Sequence, residues 1–388
     1  MTRSAAVVGG GVFGVAAALE LRRRGFDVTL LDAGAVPHPD ASSTDISKAV
    51  RMDYGSDAFY ADLAARALER WREWNRSWDE PPFHEDGILL LAAAPLERGG
   101  FEADCFRLLS SRGVPLERLD RQARARRFPA WSASAYPDGY FNPSAGWAES
   151  GRVVAELKRR AVAAGVVVRE RARCETLLDE RSRVAGVVLQ DGTRLRADTV
   201  VVAAGAWTAF LLPWLDPFLW ATGQPVVHFR PPDPGPFRGA RFPVWCADIA
   251  RSGWYGFPVD ARGTLKLGRH GPGARFRQGD ALQVTAADRD AFAAFVRSTF
   301  PAAADAPIVS TRLCLYCDTW DGDFLIDRDP RRPGLVVAAG GSGHAFKFAP
   351  LLGGIIADVV EQKSRLDRFA WRRPGDRVWE QARSHGDG

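Results

Sequence analysis

The segment AAVVGGGVFGVAAALELRRRG, residues 5–25, constrains the fold more than any other stretch of the chain. Four apolar residues read as a short buried strand, and the periodic run from Val12 reads as a helix. Between them Gly9, Gly11 and Gly14, with Phe13 among them, form a G-x-G-x-x-G turn. Gly9 permits the tight turn, Gly11 lets backbone approach a pyrophosphate, and Gly14 lets the helix pack close to the strand. The next strand-like run, DVTLLD, ends in Asp32, placed to accept from ribose hydroxyls. A glycine-rich turn in another α/β fold is the competing reading, and Asp32 in register argues against it. The fingerprint predicts a Rossmann-type dinucleotide site at a helix N-terminus, and does not by itself choose between NAD and FAD.

A later segment, LRADTVVVAAGAWTAFLLPWL, repeats the order of buried strand, Gly205 turn and helix, which favours FAD modestly. The regions PPFHEDGILLLAAA and Gln224–Thr311, the latter containing GWYGFPVDARGTLKLG, hold short alternating segments with turn signals, as in antiparallel strands. The expected fold class is therefore α/β, with a nucleotide domain built from residues 1–80, 144–220 and 311–388. Interleaved with it, residues 81–143 and 221–310 should form a substrate domain on a mixed, largely antiparallel sheet with helices.

Composition narrows the function. The net charge of +5 raises the question of a nucleic-acid partner. The arginines, however, are interleaved with acids, as in LAARALERWREWNRSWDE, the pattern of a solvated helix face, so no such partner is expected. Of the 52 basic residues only Lys48, Lys158, Lys266, Lys347 and Lys363 are lysines. A chain that uses arginine as its generic surface cation keeps a lysine where a compact, tunable ammonium is needed. Lys158 and Lys363 lie in helix-like charged segments and need no such reason; the other three do. Five scattered cysteines suit a reducing compartment, the first residues show no signal-peptide pattern, and no apolar run is long enough to span a bilayer. A cytoplasmic, monomeric protein without membrane attachment is expected.

Cys314 and Cys317, in STRLCLYCDTWDGDFLID, raise the possibility of a redox pair or half a metal site. If RLCLYC is extended, Cys314 and Tyr316 share one face and Cys317 the other. Residues three apart in a strand lie roughly 10 Å apart, beyond the reach of a disulfide. No second cysteine pair completes a zinc site, and no metal is expected. A tight turn at Tyr316 would reopen the dithiol reading. The GGSGH run at 340–344 lacks the second glycine of a nucleophile elbow, and backbone approach to a cofactor explains Gly341 and Gly343 better.

These residues together resemble the amine oxidases related to monomeric sarcosine oxidase, a group within the D-amino-acid-oxidase-like superfamily that includes N-methyltryptophan, pipecolate and fructosyl-amino-acid oxidases. The likeness rests on VVGGGVFG, ISKAVRMDYG, WYGFPVDARGTLKLGRH, CLYCDTWDGDFLID and VVAAGGSGHAFKFAP, in that order and over nearly the whole length. It implies a glutathione-reductase-like FAD domain, with FAD joined through sulfur to Cys314. It implies that Lys266 sits near the flavin and speeds its reaction with oxygen, where an ammonium stabilises the charge of superoxide. Arg51 and Lys347 would hold the substrate carboxylate. Tyr255 and His270 would line the substrate pocket, and His344 would stand beside the flavin. Lys48 matches an arginine of sarcosine oxidase near flavin N5 and a lysine of fructosyl-amino-acid oxidases, which argues against sarcosine itself as substrate.

The resulting expectation is an oxidase of the C–N bond of an amino acid carrying a secondary amine. A hydride equivalent passes to flavin N5, an imine forms, and oxygen is reduced to hydrogen peroxide. The rivals are a flavin dehydrogenase using another acceptor, a fructosyl-amino-acid or natural-product tailoring oxidase, and a nucleotide-binding module without chemistry.

Overall fold

The runs AAVV, TVVV and LVVAA carry apolar side chains at consecutive positions, and a strand can bury such a run only if both of its faces are covered. The computed structural model describes residues 3–376, 378 and 380–384. In it these runs are the strands Ser4–Val8, Thr199–Val202 and Leu335–Ala339, side by side and parallel at the centre of one sheet. Among the described residues that sheet has six strands; Asp27–Leu31 and Val167–Arg169 extend it in parallel on one side, and Leu325–Arg328 closes the other antiparallel. Alternate side chains serve different cores. Val7, Leu30, Val201 and Val336 pack with the helices Val12–Arg23, Ser150–Ala163 and Ala349–Val360. Val8, Leu31, Val202 and Val337 pack on the other face, with Leu177, Val187 and Leu189 of a three-stranded meander and with Cys317.

The second sheet is mixed. Its strands Leu219–Phe229, Leu265–Arg269, Trp254–Gly256 and Val244–Ala247 run antiparallel to one another. Ile88–Ala92 then joins in parallel and Asp138–Asn142 antiparallel. The long strand Ile308–Thr319 pairs along Leu219–Phe229 and carries the chain back to the first sheet, so Cys314, Tyr316 and Cys317 stand where the two sheets meet. A small sheet of Lys48–Val50, Gly146–Ala148 and Phe83–His84 lies nearby.

The helix expected after Gly205 is shorter than the pattern suggests. A 3-10 turn at Gly205–Trp207 leads into the single turn Thr208–Leu211, because Pro213 pushes Leu212 out of the helical region. Likewise Lys347 lies in a 3-10 turn, Phe346–Phe348, and the α-helix begins only at Ala349. Within 81–143 the chain also forms helices Phe101–Ser111 and Arg121–Arg127, which sequence reading did not locate.

Candidate functional site

The glycine turn builds one end of the site. Gly9 holds φ of +106°, a region L side chains avoid, and its N–H donates to Leu31 O at 2.8 Å. A Cβ on Gly14 would lie 1.8 Å from Gly9 O, so the helix reaches this distance only because position 14 is glycine. Gly11 caps that helix without a side chain and no acid occupies its first turn; Ser43 Oγ accepts the Val12 N–H at 3.1 Å, and the positive end of the helix still faces the turn without a counter-charge in its first turn. Asp32 Oδ2 accepts the Gly10 N–H at 2.7 Å and Oδ1 the Gly34 N–H at 2.8 Å. These bonds orient the carboxylate and leave further lone pairs for hydroxyl donors.

A cavity of about 680 Å³ runs from this turn to the strand junction, within the usual range for cofactor pockets. Gly9, Gly11, Phe13, Asp32, Lys48, Gly341 and Gly343 line it, together with Trp207, Tyr316 and Cys317. Gly14 is packed beneath the turn, while Arg51, Tyr255, Lys266, His270, Cys314, His344 and Lys347 stand outside the lining. A glycine-walled cradle against a helix N-terminus with no acid in its first turn, and with a carboxylate at its side, fits the pyrophosphate and ribose of FAD.

Behind Lys48 lies one buried polar cluster. Lys48 Nζ is 3.9 Å from Cys314 Sγ, so the sulfur stands one side chain behind the cavity wall. Cys314 and Tyr316 share a small cluster with Val226, and Cys317 faces the opposite core; both cysteines are free. The alternation expected of an extended segment is present, and the dithiol reading falls. Lys266, 1% exposed, forms an ion pair with Asp45 Oδ2 at 2.7 Å, donates to Ser47 O and lies 4.6 Å from the centre of the Phe257 ring. Burial pulls its pKa down to about 8, against the pull of Asp45. Burial pushes the Asp45 carboxyl up, but Lys266, His228 and Lys48 outweigh it and hold it well below the usual carboxylate range. Tyr255 stands beside Tyr316 and Cys314, and burial pushes its hydroxyl well above the ordinary phenol value.

A second cluster gathers on the far side of Tyr316, whose ring centre is 5.7 Å from that of His270. His270 Nε2 meets Glu380 Oε2 at 2.9 Å, and the other oxygen of Glu380 lies 3.9 Å from Arg51 Nη2. Arg51, 6% exposed, leaves Nη1 buried without a hydrogen-bond partner. Lys347, 4% exposed, donates to Tyr54 Oη at 2.8 Å and to His344 O at 2.7 Å. Burial keeps the His344 imidazole neutral, pulling its pKa down to about 3. Gly322 O, 3.0 Å from Nε2, can only accept, so the proton of the buried, neutral His344 ring is on Nε2 and Nδ1 accepts from the Tyr54 hydroxyl at 3.0 Å. Burial and the neighbouring Arg51 guanidinium together hold the Lys347 ammonium well below its ordinary value.

The three lysines set apart by the sequence are thus at or behind the cavity, whereas Lys158 and Lys363 make surface ion pairs with Glu170 and Glu361. Sequence reading missed Asp45, Tyr54 and Glu380, each of which partners a residue it had singled out, and His228, which approaches Asp45 to 3.6 Å. Among the described residues no group of three or more His, Cys, Asp or Glu is arranged to hold a metal.

Known proteins share this architecture. Residues 4–359 match the family described as FAD dependent oxidoreductase. The chain is 27% identical to monomeric sarcosine oxidase of a Bacillus species, over 95% of each chain. It is 29% identical to N-methyl-L-tryptophan oxidase of Salmonella arizonae, over 94% of this chain and 98% of that one. In structure it is similar to the deglycating enzyme fructosamine oxidase (Amadoriase II) of Aspergillus fumigatus. The TM-score is 0.84 at 26% identity, and the match covers 100% of this chain and 94% of that one.

Proposed function

The chain belongs to the family of FAD-dependent oxidoreductases, and from that premise we propose that it oxidises the C–N bond of an amino acid bearing a secondary amine, with oxygen as acceptor. Bound FAD supplies a two-electron oxidation of that bond to an imine, with return of the electrons to oxygen as hydrogen peroxide. The observation that carries the substrate class is Arg51, a buried guanidinium with an unsatisfied Nη1 in the same cluster as the Lys347 ammonium. A carboxylate is the ligand that satisfies both. The relatives' names, sarcosine and N-methyl-L-tryptophan oxidase, support the secondary amine.

Each residue has a part in this reading. Gly9, Gly11, Phe13, Gly14 and Asp32 hold the dinucleotide, and Gly341 and Gly343 let backbone approach the ring. Arg51 and Lys347 would hold the substrate carboxylate and so orient the carbon beside nitrogen for the oxidation that bound FAD supplies. Tyr54 and His344 keep the Lys347 ammonium in place. Tyr255 and His270 shape the pocket, where exclusion of water favours the neutral amine that reacts. Lys266 presents a cation to oxygen as it takes up charge. Cys314 would tether FAD by a thioether, a role supported by a free, buried sulfur directly behind Lys48. The division into an FAD domain (1–80, 144–220, 311–388) and a substrate domain (81–143, 221–310) belongs to the same proposal. So do a monomeric state and a cytoplasmic location; among the described residues no helix is long and apolar enough to cross a membrane.

A fructosyl amino acid is the second reading, favoured by Lys48 at the cavity wall and by the structural likeness to fructosamine oxidase. Purified protein supplied in air with N-methyl, cyclic and fructosyl amino acids should consume oxygen and release equimolar peroxide with at least one of them. A protein that turns over only with an artificial electron acceptor would be a dehydrogenase instead. Acid precipitation should leave the wild-type pellet yellow and the Cys314→Ala pellet colourless.

A further inference from the structure

Glu380 reaches the site from a segment that is firmly seated. The Arg383 guanidinium bonds both oxygens of Asp318, at 2.6 and 2.7 Å, and Gly271 O at 2.8 Å. Ala382 is fully buried, and the Ser384 N–H donates to His270 O at 3.0 Å. Residues 380–384 are therefore held against His270, Gly271 and Asp318. His270 holds one oxygen of Glu380 at 2.9 Å, which turns the other towards Arg51. That second oxygen, Oε1, is buried without a hydrogen-bond partner, as is Arg51 Nη1, and 3.9 Å between Nη2 and Oε1 is too long for a hydrogen bond. The Arg51 guanidinium and the Glu380 carboxylate thus lie side by side out of water, one with an open donor and the other with an open acceptor, and each is costly to leave unmet.

We infer that Glu380 accepts a hydrogen bond from the amine N–H of the substrate while Arg51 receives its carboxylate, so that this pair selects for an N–H beside a carboxylate. The inference rests on the amino-acid-oxidase reading and names a residue that sets its specificity. A ligand with a carboxylate and no N–H meets the guanidinium but places like charge beside Glu380 Oε1. An amine without a carboxylate satisfies Glu380 and leaves Arg51 Nη1 open. Only a molecule with both groups on neighbouring atoms meets both requirements. Glu380 acts here in recognition; its hydrogen bond to His270 and its proximity to Arg51 keep it ionised and acceptor-only.

The test compares ligands that differ at one atom: piperidine-2-carboxylate, and tetrahydropyran-2-carboxylate, in which a ring oxygen replaces the N–H. Binding to the holoenzyme is followed without oxygen, from the flavin spectrum and by calorimetry, for wild type and Glu380→Gln. Glutamine retains an acceptor for His270, and Glu380→Asp, which retracts the charge, serves as the second variant should the first lose its flavin. Both variants should bind the amino acid about 10- to 100-fold more weakly, the range of one hydrogen bond to a charged group, with the ether bound as well as or better than by wild type. Equal weakening of both ligands, no change, or tighter binding of both would overturn the inference. The last outcome would make Glu380 a mere occupant of the carboxylate subsite. A wild-type protein that binds neither ligand, nor any amino acid of the wider panel, would overturn the underlying reading together with it.

Discussion

Lys266 Nζ and Asp45 Oδ2 lie 2.7 Å apart with both side chains almost wholly out of water. The ammonium is held in place by a carboxylate rather than by solvent, so its charge state depends on what surrounds it. Its pKa, about 8, is below the ordinary lysine value. Below that pH the group is a cation, and above it the group is neutral. If the cation assists oxygen, the second-order rate constant for reoxidation of the reduced protein is highest below pH 8 and falls as pH rises through it. Lys266→Met should reoxidise slowly at every pH while its reduction by substrate is preserved. Stopped-flow measurement of the two half-reactions separates these effects.

Asp45→Asn leaves Lys266 buried beside Lys48 with its counter-charge gone. Losing one partner of a buried ion pair costs roughly 3–5 kcal/mol when the remaining group stays charged. The expected outcome is a lower Tm, together with a pH limit for reoxidation displaced below 8, because the neutral form of Lys266 becomes easier to reach. A variant with the wild-type Tm and the same pH limit would separate Asp45 from the function of Lys266.

Tyr54→Phe removes one hydroxyl that two buried groups use. The Lys347 ammonium loses an acceptor at 2.8 Å and His344 Nδ1 loses its donor at 3.0 Å. Each unmet buried group costs about 1–3 kcal/mol. The Tm should fall, and KM for a carboxylate-bearing substrate should rise more than kcat falls, since the hydroxyl positions Lys347 and takes no part in the chemistry.

Gly14→Ala would place a methyl group 1.8 Å from Gly9 O, against backbone that has no rotamer to give way. The helix must move off the turn, and the N–H groups at its start move with it. The protein should be recovered without bound FAD, or not folded. A yellow Gly14→Ala protein with wild-type flavin content would contradict the placement of the dinucleotide.

The parts legible in the sequence were those set by local geometry. Glycines at 9, 11 and 14 announce a turn that only they permit, consecutive valines announce a strand covered on both faces, and the alternation of Cys314 and Cys317 follows from the pleat alone. The rarity of lysine in an arginine-rich chain singled out Lys48, Lys266 and Lys347. What stayed hidden was set by contacts between distant segments. Asp45 and Glu380 look like any surface acid, because a carboxylate is read as exposed until its partner is known. His228 lies in an apolar strand, and nothing in that strand shows that its ring approaches Asp45 to within 3.6 Å. Glu380 lies in GDRVWEQARSHGDG, a run with neither helical nor strand period, and contacts with Asp318, Gly271 and His270 hold residues 380–384 in place.

The central step proposed for this protein is the passage of electrons from an amino acid to a bound flavin. Mixing the oxidised protein without oxygen against N-methyl, cyclic and fructosyl amino acids, and following the visible absorption of the flavin, measures that step alone. The visible band should be lost with at least one of these ligands, at a rate that saturates with its concentration, and should return when air is admitted. A band that persists with every ligand, in protein shown to hold a full complement of FAD, would contradict the account.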